Sequence, residues 1–131
     1  MKRRIWFVIV IALIIVVLTN IIIEVSNPLR RSAEEITEDI LELTPIGTSM
    51  ENVVGVIESN KKWEWNGYIA PVGFLKQPPP PEECTYVGTQ SIRAFIGEYS
   101  NGFATTVTVF WGFDEDSKLI DVWVWKEKDS L

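Results

Sequence analysis

Two hydrophobic patterns divide the chain. Ile5-Trp-Phe-Val-Ile-Val-Ile-Ala-Leu-Ile-Ile-Val-Val-Leu-Thr-Asn-Ile-Ile-Ile23 is an uncharged apolar run whose polar residues are Thr19 and Asn20. As a helix it spans ~28 Å, close to the ~30 Å hydrocarbon thickness of a bilayer. In lipid the backbone has no partners but its own, so the β-branched residues do not argue against a helix. The pattern predicts a tail at residues 1–4, a membrane anchor at 5–23, a juxtamembrane link at 24–31 and one domain at 32–131.

Beyond the anchor the pattern becomes periodic. Asn27-Pro28 signals a turn in the link. Ser32-Ala-Glu-Glu35 reads as a capping box, and Ile36, Ile40 and Leu43 form one apolar stripe at i, i+4 and i+7. Pro45 ends that helix, because the residue before a proline avoids the α region. Thr48-Ser-Met-Glu51 reads as a second capping box, and Met50, Val53, Val54 and Ile57 repeat at helical spacing up to a stop at Asn60. Lys61 to Gly88 has no clear period. Trp63, Trp65 and Tyr68 suggest a short strand, and Pro78 to Pro81 are expected to be extended.

The last third alternates. Ser91 to Tyr99, Phe103 to Phe113 and Lys118 to Lys126 read as three strands, joined by Asn101-Gly102 as a two-residue type I′ turn and by Asp114-Glu-Asp-Ser117. In that register Ile92, Ala94, Ile96, Val107, Val109, Trp111, Phe113, Ile120, Val122 and Val124 share one face. The expected fold is therefore α+β: two short helices packed on one face of a three-stranded antiparallel meander, behind an N-terminal transmembrane helix.

The opposite face collects Arg93, Phe95, Tyr99, Phe110, Trp123 and Trp125, where a solvated sheet face would be polar. Phe110 should face Trp123 on one side and Arg93 on the other, with Arg93 placed to lie over a ring. Two readings are open. The segment Trp63 to Gly88 folds over this face as extra core, with Trp63, Trp65, Tyr68 and Phe74 supplying contacts. Alternatively Arg93, Phe95, Phe110, Trp123 and Trp125 form a patch for a protein or ligand, since interface cores favour Trp, Tyr, Phe and Arg.

Charge sets the orientation and excludes one class of partner. Of the 12 basic residues Lys2, Arg3 and Arg4 precede the apolar run, leaving nine against 18 acidic residues from Glu24 onward. Such a domain repels phosphate backbones, so no nucleic-acid partner is expected. The basic start favours a cytoplasmic N-terminus and a domain outside the cell membrane, although Arg30 and Arg31 follow the run. The alternative is a signal segment whose cleavage releases a secreted, inhibitor-like domain. The long run and the exit Ile23-Glu-Val-Ser-Asn-Pro28, without a small-x-small site, favour an uncleaved anchor.

Candidate chemistry is sparse. Without histidine the chain has no Ser-His or Cys-His pair and no His metal ligand, and one cysteine, Cys84, makes neither an internal disulfide nor a thiolate zinc site. No catalytic residue, metal site or cofactor is assigned. Asp114, Glu115, Asp116 and Asp121 cluster near the second connection, but a calcium loop starting at Asp114 would need Gly and Glu where Leu119 and Trp125 stand. A solvated turn is the expected role, with a carboxylate-dependent hydrolase as the enzymatic alternative.

Ile46-Gly47-Thr48-Ser49-Met50-Glu51-Asn52-Val53 resembles the helix-opening signature of the SmpA/OmlA and β-lactamase-inhibitor-like families, and Phe113-Asp114-Glu115-Asp116-Ser117-Lys118-Leu119 resembles the closing hairpin of that bacterial helix-helix-three-strand unit. The likeness covers roughly residues 33 to 126. It implies a non-enzymatic module that binds other proteins. The chain departs from the pattern in having no lipid-attachment cysteine after the apolar run and no Gly-x-Pro after Ile57.

Overall fold

The computed structural model describes residues 1–76 and 85–129. The expected extended run Pro78 to Pro81, and Cys84, lie outside them.

The first element, α1 (Lys2–Val25), is a 24-residue helix with no buried residue. It is long and apolar enough to cross a membrane. The two polar residues of its apolar run bond back into the helix: the Thr19 hydroxyl donates to the Ile15 carbonyl at 2.7 Å and the Asn20 amide to that of Val16 at 2.8 Å. Such back-bonding leaves neither group unpaired in an apolar surround.

The link was expected to be a plain connector, and it is docked instead. Pro28–Arg30 form a 3₁₀ turn whose first free amide, that of Leu29, donates to the Asn27 side chain at 3.0 Å. The Asn27 amide reaches the Glu98 carbonyl, and Lys126 Nζ donates to the Leu29 carbonyl at 2.8 Å and to that of Arg31.

Helices α2 (Ala33–Leu43) and α3 (Met50–Ser59) follow. Both bonds of the Ser32–Glu35 capping box are present. The stripe of α2 is Ile36, Ile40 and the buried Thr44, while Leu43 is exposed. One turn beyond Ile40 the inward direction falls at i+4, not i+3. The cap of α3 is Ser49, which accepts from the Asn52 amide, so Thr48 does not hold the place expected of it. Thr48 instead donates to the Pro45 carbonyl.

The sheet has four strands where three were expected, in the order β1-β4-β5-β6, and β2 and β3 form a separate two-stranded sheet. The strands are β1 (Ile69–Ala70), β2 (Phe74–Lys76), β3 (Thr85–Val87), β4 (Gln90–Ser100), β5 (Ala104–Phe113) and β6 (Leu119–Lys128). The outer edge of β4 explains the addition, because its backbone groups need partners. Ile69 and Ala70 pair with Ile92 and Ser91, and Glu64 forms an antiparallel bridge to Phe95.

The predicted register holds for Ile92–Trp111 and Ala94–Val109, then shifts by one between Phe95 and Gly97. Gly97, not Ile96, pairs with Val107, and Ser100 pairs with Ala104, so the connection is three residues, Asn101 to Phe103. Of the two residues that a type I′ turn needs at positive φ, only Gly102 has it, at +80°. A second shift lies between Gly112 and Phe113. It buries Leu119 at 1% exposure and turns Ile120, expected in the core, outward at 41%. A bulge inserts one residue and thereby reverses the parity of all that follow it.

The core lies between the helices and one sheet face: Ile36, Ile40, Val53 and Ile57 against Ile92, Ala94, Val107, Val109, Trp111, Phe113, Val122 and Val124. At its centre Trp111 is fully buried, and its indole Nε1 donates to Thr44 Oγ1 at 3.1 Å. Thr44→Val keeps the shape and removes that acceptor, so unfolding stability should fall by about 1–3 kcal/mol. In a Trp111→Phe background the same substitution should cost clearly less, since only the hydroxyl's bond to the Ile40 carbonyl is then lost. Equal losses in the two backgrounds would show that the hydroxyl serves something other than the indole.

Candidate functional site

The second sheet face is part covered and part open. Gly112 on β5 makes the cover possible. A side chain there would come within 2.9 Å of Phe74 Cε1 and 3.0 Å of the Val87 carbonyl. With only hydrogen at that position, the β2–β3 hairpin settles on the sheet. Phe74 is buried between two rings, with centroids 5.8 Å from Phe110 and 6.1 Å from Trp123, the latter stacked at 11°. The Ser91 hydroxyl donates to the Val72 carbonyl at 2.9 Å, and Lys76 pairs with Asp121 at 3.5 Å, which fastens the hairpin at both sides.

Beside the hairpin an open groove of about 1040 Å³ runs along the face. The edge segment Trp63 to Ala70 forms one wall and Phe74 and Leu75 the other, with Arg93, Phe95, Thr108 and Phe110 as floor. Its local geometry follows from the β4 edge. The Glu64–Phe95 pair makes two backbone bonds, 2.8 and 3.0 Å, and so holds Trp63 and Trp65 along the rim. Trp63 turns inward onto Trp111, with centroids 6.1 Å apart. The Trp65 indole donates to the Tyr68 carbonyl at 3.3 Å, and the Tyr68 ring is 61% exposed.

The structure thus brings Arg93, Phe95 and Phe110 together in the groove. Trp123 and Trp125 extend the aromatic row along β6 outside it, their centroids 5.1 Å apart. Tyr99 leaves this face altogether. It lies beyond the bulge at Gly97, so it points to the helix side, where Lys126 and Arg30 sit 5.0 and 5.5 Å from its ring centre. The expected placement of Arg93 over a ring is not formed, since Phe110 is taken up by Phe74 and Trp123. Arg93 is exposed and makes no ion pair among the described residues.

Trp65 and Tyr68, expected to contact this face as a cover, stand instead at the edge of a groove, and Asn66 was not foreseen there. The covering reading holds for part of the face, where Phe74 adds a core layer; along the groove Trp65, Phe95 and Phe110 are half-buried and Tyr68 and Arg93 exposed.

The turn Asp114 to Ser117 behaves as a turn. Asp114 Oδ1 accepts from the amides of Asp116 and Lys118, both at 2.9 Å, and no group able to hold a metal ion occurs among the described residues.

Comparison with family models, with curated proteins and with solved structures gives no match to this chain.

Phe74→Ala should cost about 3–5 kcal/mol, the range for a buried aromatic ring. Trp125 is half-buried and meets one ring, Trp123. Trp125→Ala should therefore cost clearly less in a denaturant titration. Equal costs would mean that Trp125 is enclosed as fully as Phe74.

Proposed function

We propose that this chain is a membrane-tethered, non-enzymatic interaction module. In this reading α1 is the anchor, the domain stands outside the cell membrane, and the groove receives a segment of a partner protein. The observation that carries the proposal is the groove itself: an exposed Tyr68 and the half-buried Trp65, Phe95 and Phe110 beside the exposed Arg93 guanidinium, on a sheet whose other face is already filled by its helices. Aromatic side chains offer large contact area at low entropic cost, and Arg93 offers a bidentate site for a partner carboxylate.

Two further features support the reading. Among the described residues the groove walls carry one carboxylate, Glu64, whereas hydrolysis by paired carboxylates needs two flanking the bond. The two stretches that resemble the SmpA/OmlA unit are also hydrogen-bonded to each other. Gly47 N donates to the Leu119 carbonyl at 2.7 Å, Leu119 N to that of Thr48 at 2.9 Å and Met50 N to that of Ser117 at 2.9 Å. A unit of that kind would bind proteins.

Lys2, Arg3 and Arg4 support a cytoplasmic N-terminus. Protease added to intact spheroplasts should digest the domain, and a protected C-terminus would reverse the orientation. For the groove, a photo-crosslinking residue at Tyr68 should capture a membrane neighbour that the same residue at Glu115 does not. Arg93→Glu, at an exposed site, should leave the unfolding midpoint unchanged and abolish that adduct. Capture that survives Arg93→Glu, or that is equal from Glu115, would place the contact elsewhere.

A further inference from the structure

The docked link fixes which end of the domain faces the bilayer. Arg30 spans from α1 to the sheet: its Nε donates to the Glu24 carbonyl at 2.5 Å, its Nη2 lies 3.3 Å from the Glu24 carboxylate, and the same nitrogen donates to the Ser100 carbonyl. Three residues beyond Glu24, the Asn27 side-chain amide donates to the Glu98 carbonyl. Further still, Leu29 lies against Gly97, where an added Cβ would come within 2.7 Å of its Cδ1. The chain leaving α1 therefore passes β4 from Glu98 at Asn27 to Gly97 at Leu29, and Arg30 reaches back to Ser100. The β4–β5 connection, Asn101 to Phe103, lies just beyond Ser100, at the end of β4 that Arg30 ties to the last turn of α1.

We propose that this hairpin tip rests in the headgroup layer of the membrane that α1 crosses, with Phe103 and Lys128 as its contacts. The inference rests on α1 being the anchor. If Ile23 ends the hydrocarbon-embedded run, Glu24 stands in the headgroup layer, which is about 5–8 Å deep on each side. Ser100 shares a guanidinium with Glu24, so it stands at nearly the same depth, and the tip lies on the bilayer side of it. The chemistry of the tip suits that depth. Phe103 is 42% exposed, and Lys128 Nζ lies 5.0 Å from its ring centre. An apolar ring buried at the acyl boundary, with a lysine stem along it and the ammonium in water, is an arrangement that interfacial segments use. A single exposed Phe on an ordinary surface would mean nothing; here the docked link brings it to the bilayer.

The charges at this end do not select anionic lipid. Arg30, Arg31, Lys126 and Lys128 share it with Glu24, Glu98, Glu127 and Asp129. The contact is therefore with the headgroup layer in general and should be insensitive to the anionic fraction.

Full-length protein with Cys84→Ser, reconstituted in phosphatidylcholine nanodiscs, tests this by spin labels placed one at a time at Ile14→Cys, Asn101→Cys and Asp116→Cys. Collision with lipid-soluble oxygen and with a water-soluble nickel chelate reports depth. The label at 14 should be oxygen-accessible and chelate-protected, the label at 116 the reverse. The label at 101 should lie between them and keep its position when a third of the lipid is phosphatidylglycerol. Phe103→Ser should shift the label at 101 toward the aqueous values. If the label at 14 is aqueous, the anchor reading fails and this proposal with it. If the label at 14 is in lipid but the label at 101 matches that at 116, the anchor stands and the proposal is overturned. A label at 101 that ignores Phe103→Ser removes Phe103 as a contact and overturns the proposal in its stated form.

Discussion

A buried indole must find an acceptor for its N–H, and the domain is arranged around that requirement. Trp111 lies in the middle of the central strand β5, fully enclosed. Its partner, Thr44, is the residue at which α2 ends, so the bond fixes where the helix stops over the sheet. Thr44 also donates to the Ile40 carbonyl at 2.8 Å, which ties the last turn of α2 into the same chain of bonds. From there Pro45 forces the backbone out of the helix, and the segment Gly47 to Met50 pairs with Ser117 to Leu119. One polar contact in the core thus positions the end of α2, the start of α3 and the β5–β6 turn together. Its loss would leave a desolvated donor with nothing to replace it.

The membrane-length helix, two amphipathic helices, three long strands and the separation of two sheet faces were all legible in the sequence. Each depends on periodicity, which is local. What was lost lies at two points where one residue is inserted. Before the first shift the parity argument places Ile92 and Ala94 correctly; after it Tyr99 belongs to the other face. At the second shift Leu119 and Ile120 exchange roles. An alternating pattern cannot reveal an insertion when both candidates are apolar, as Leu119 and Ile120 are. Gly97 was the available clue, since its φ of +142° suits few side chains and its missing Cβ admits Leu29.

The middle of the chain was illegible for a different reason. The short strand suggested by Trp63, Trp65 and Tyr68 is not formed as such: Glu64 makes a single bridge and Ile69–Ala70 the strand, because these are the residues that meet the unpaired groups of β4. The β2–β3 hairpin depends on Gly112, which sits far from it in sequence. Both features are consequences of tertiary contact. The candidate site inherits this division. Its floor residues, Arg93, Phe95 and Phe110, follow from strand parity and were foreseen. Its rim residues, Trp65 and Tyr68, were foreseen as contacts to this face, but their place along its edge follows from pairing with β4 and was not.

The basic residues after the anchor illustrate how structure and insertion make separate demands. Arg30 and Arg31 weaken the charge asymmetry that favours the proposed orientation, because only nearby Lys and Arg count strongly when a helix inserts. Their retention is accounted for by what they hold. Arg30 joins the last turn of α1 to the end of β4, and Arg31 pairs with Asp39 on α2. The backbone carbonyls on either side accept from Lys126 of β6. Four elements are thereby joined through residues 27–31, and a lysine in place of Arg30 lacks the fork needed to reach Glu24 and Ser100 at once. In the proposed topology a cation so close to α1 acts against the orientation during insertion and in favour of a fixed domain position afterwards. Lys2, Arg3 and Arg4, with no acid before the apolar run, still outnumber the pair that the link requires.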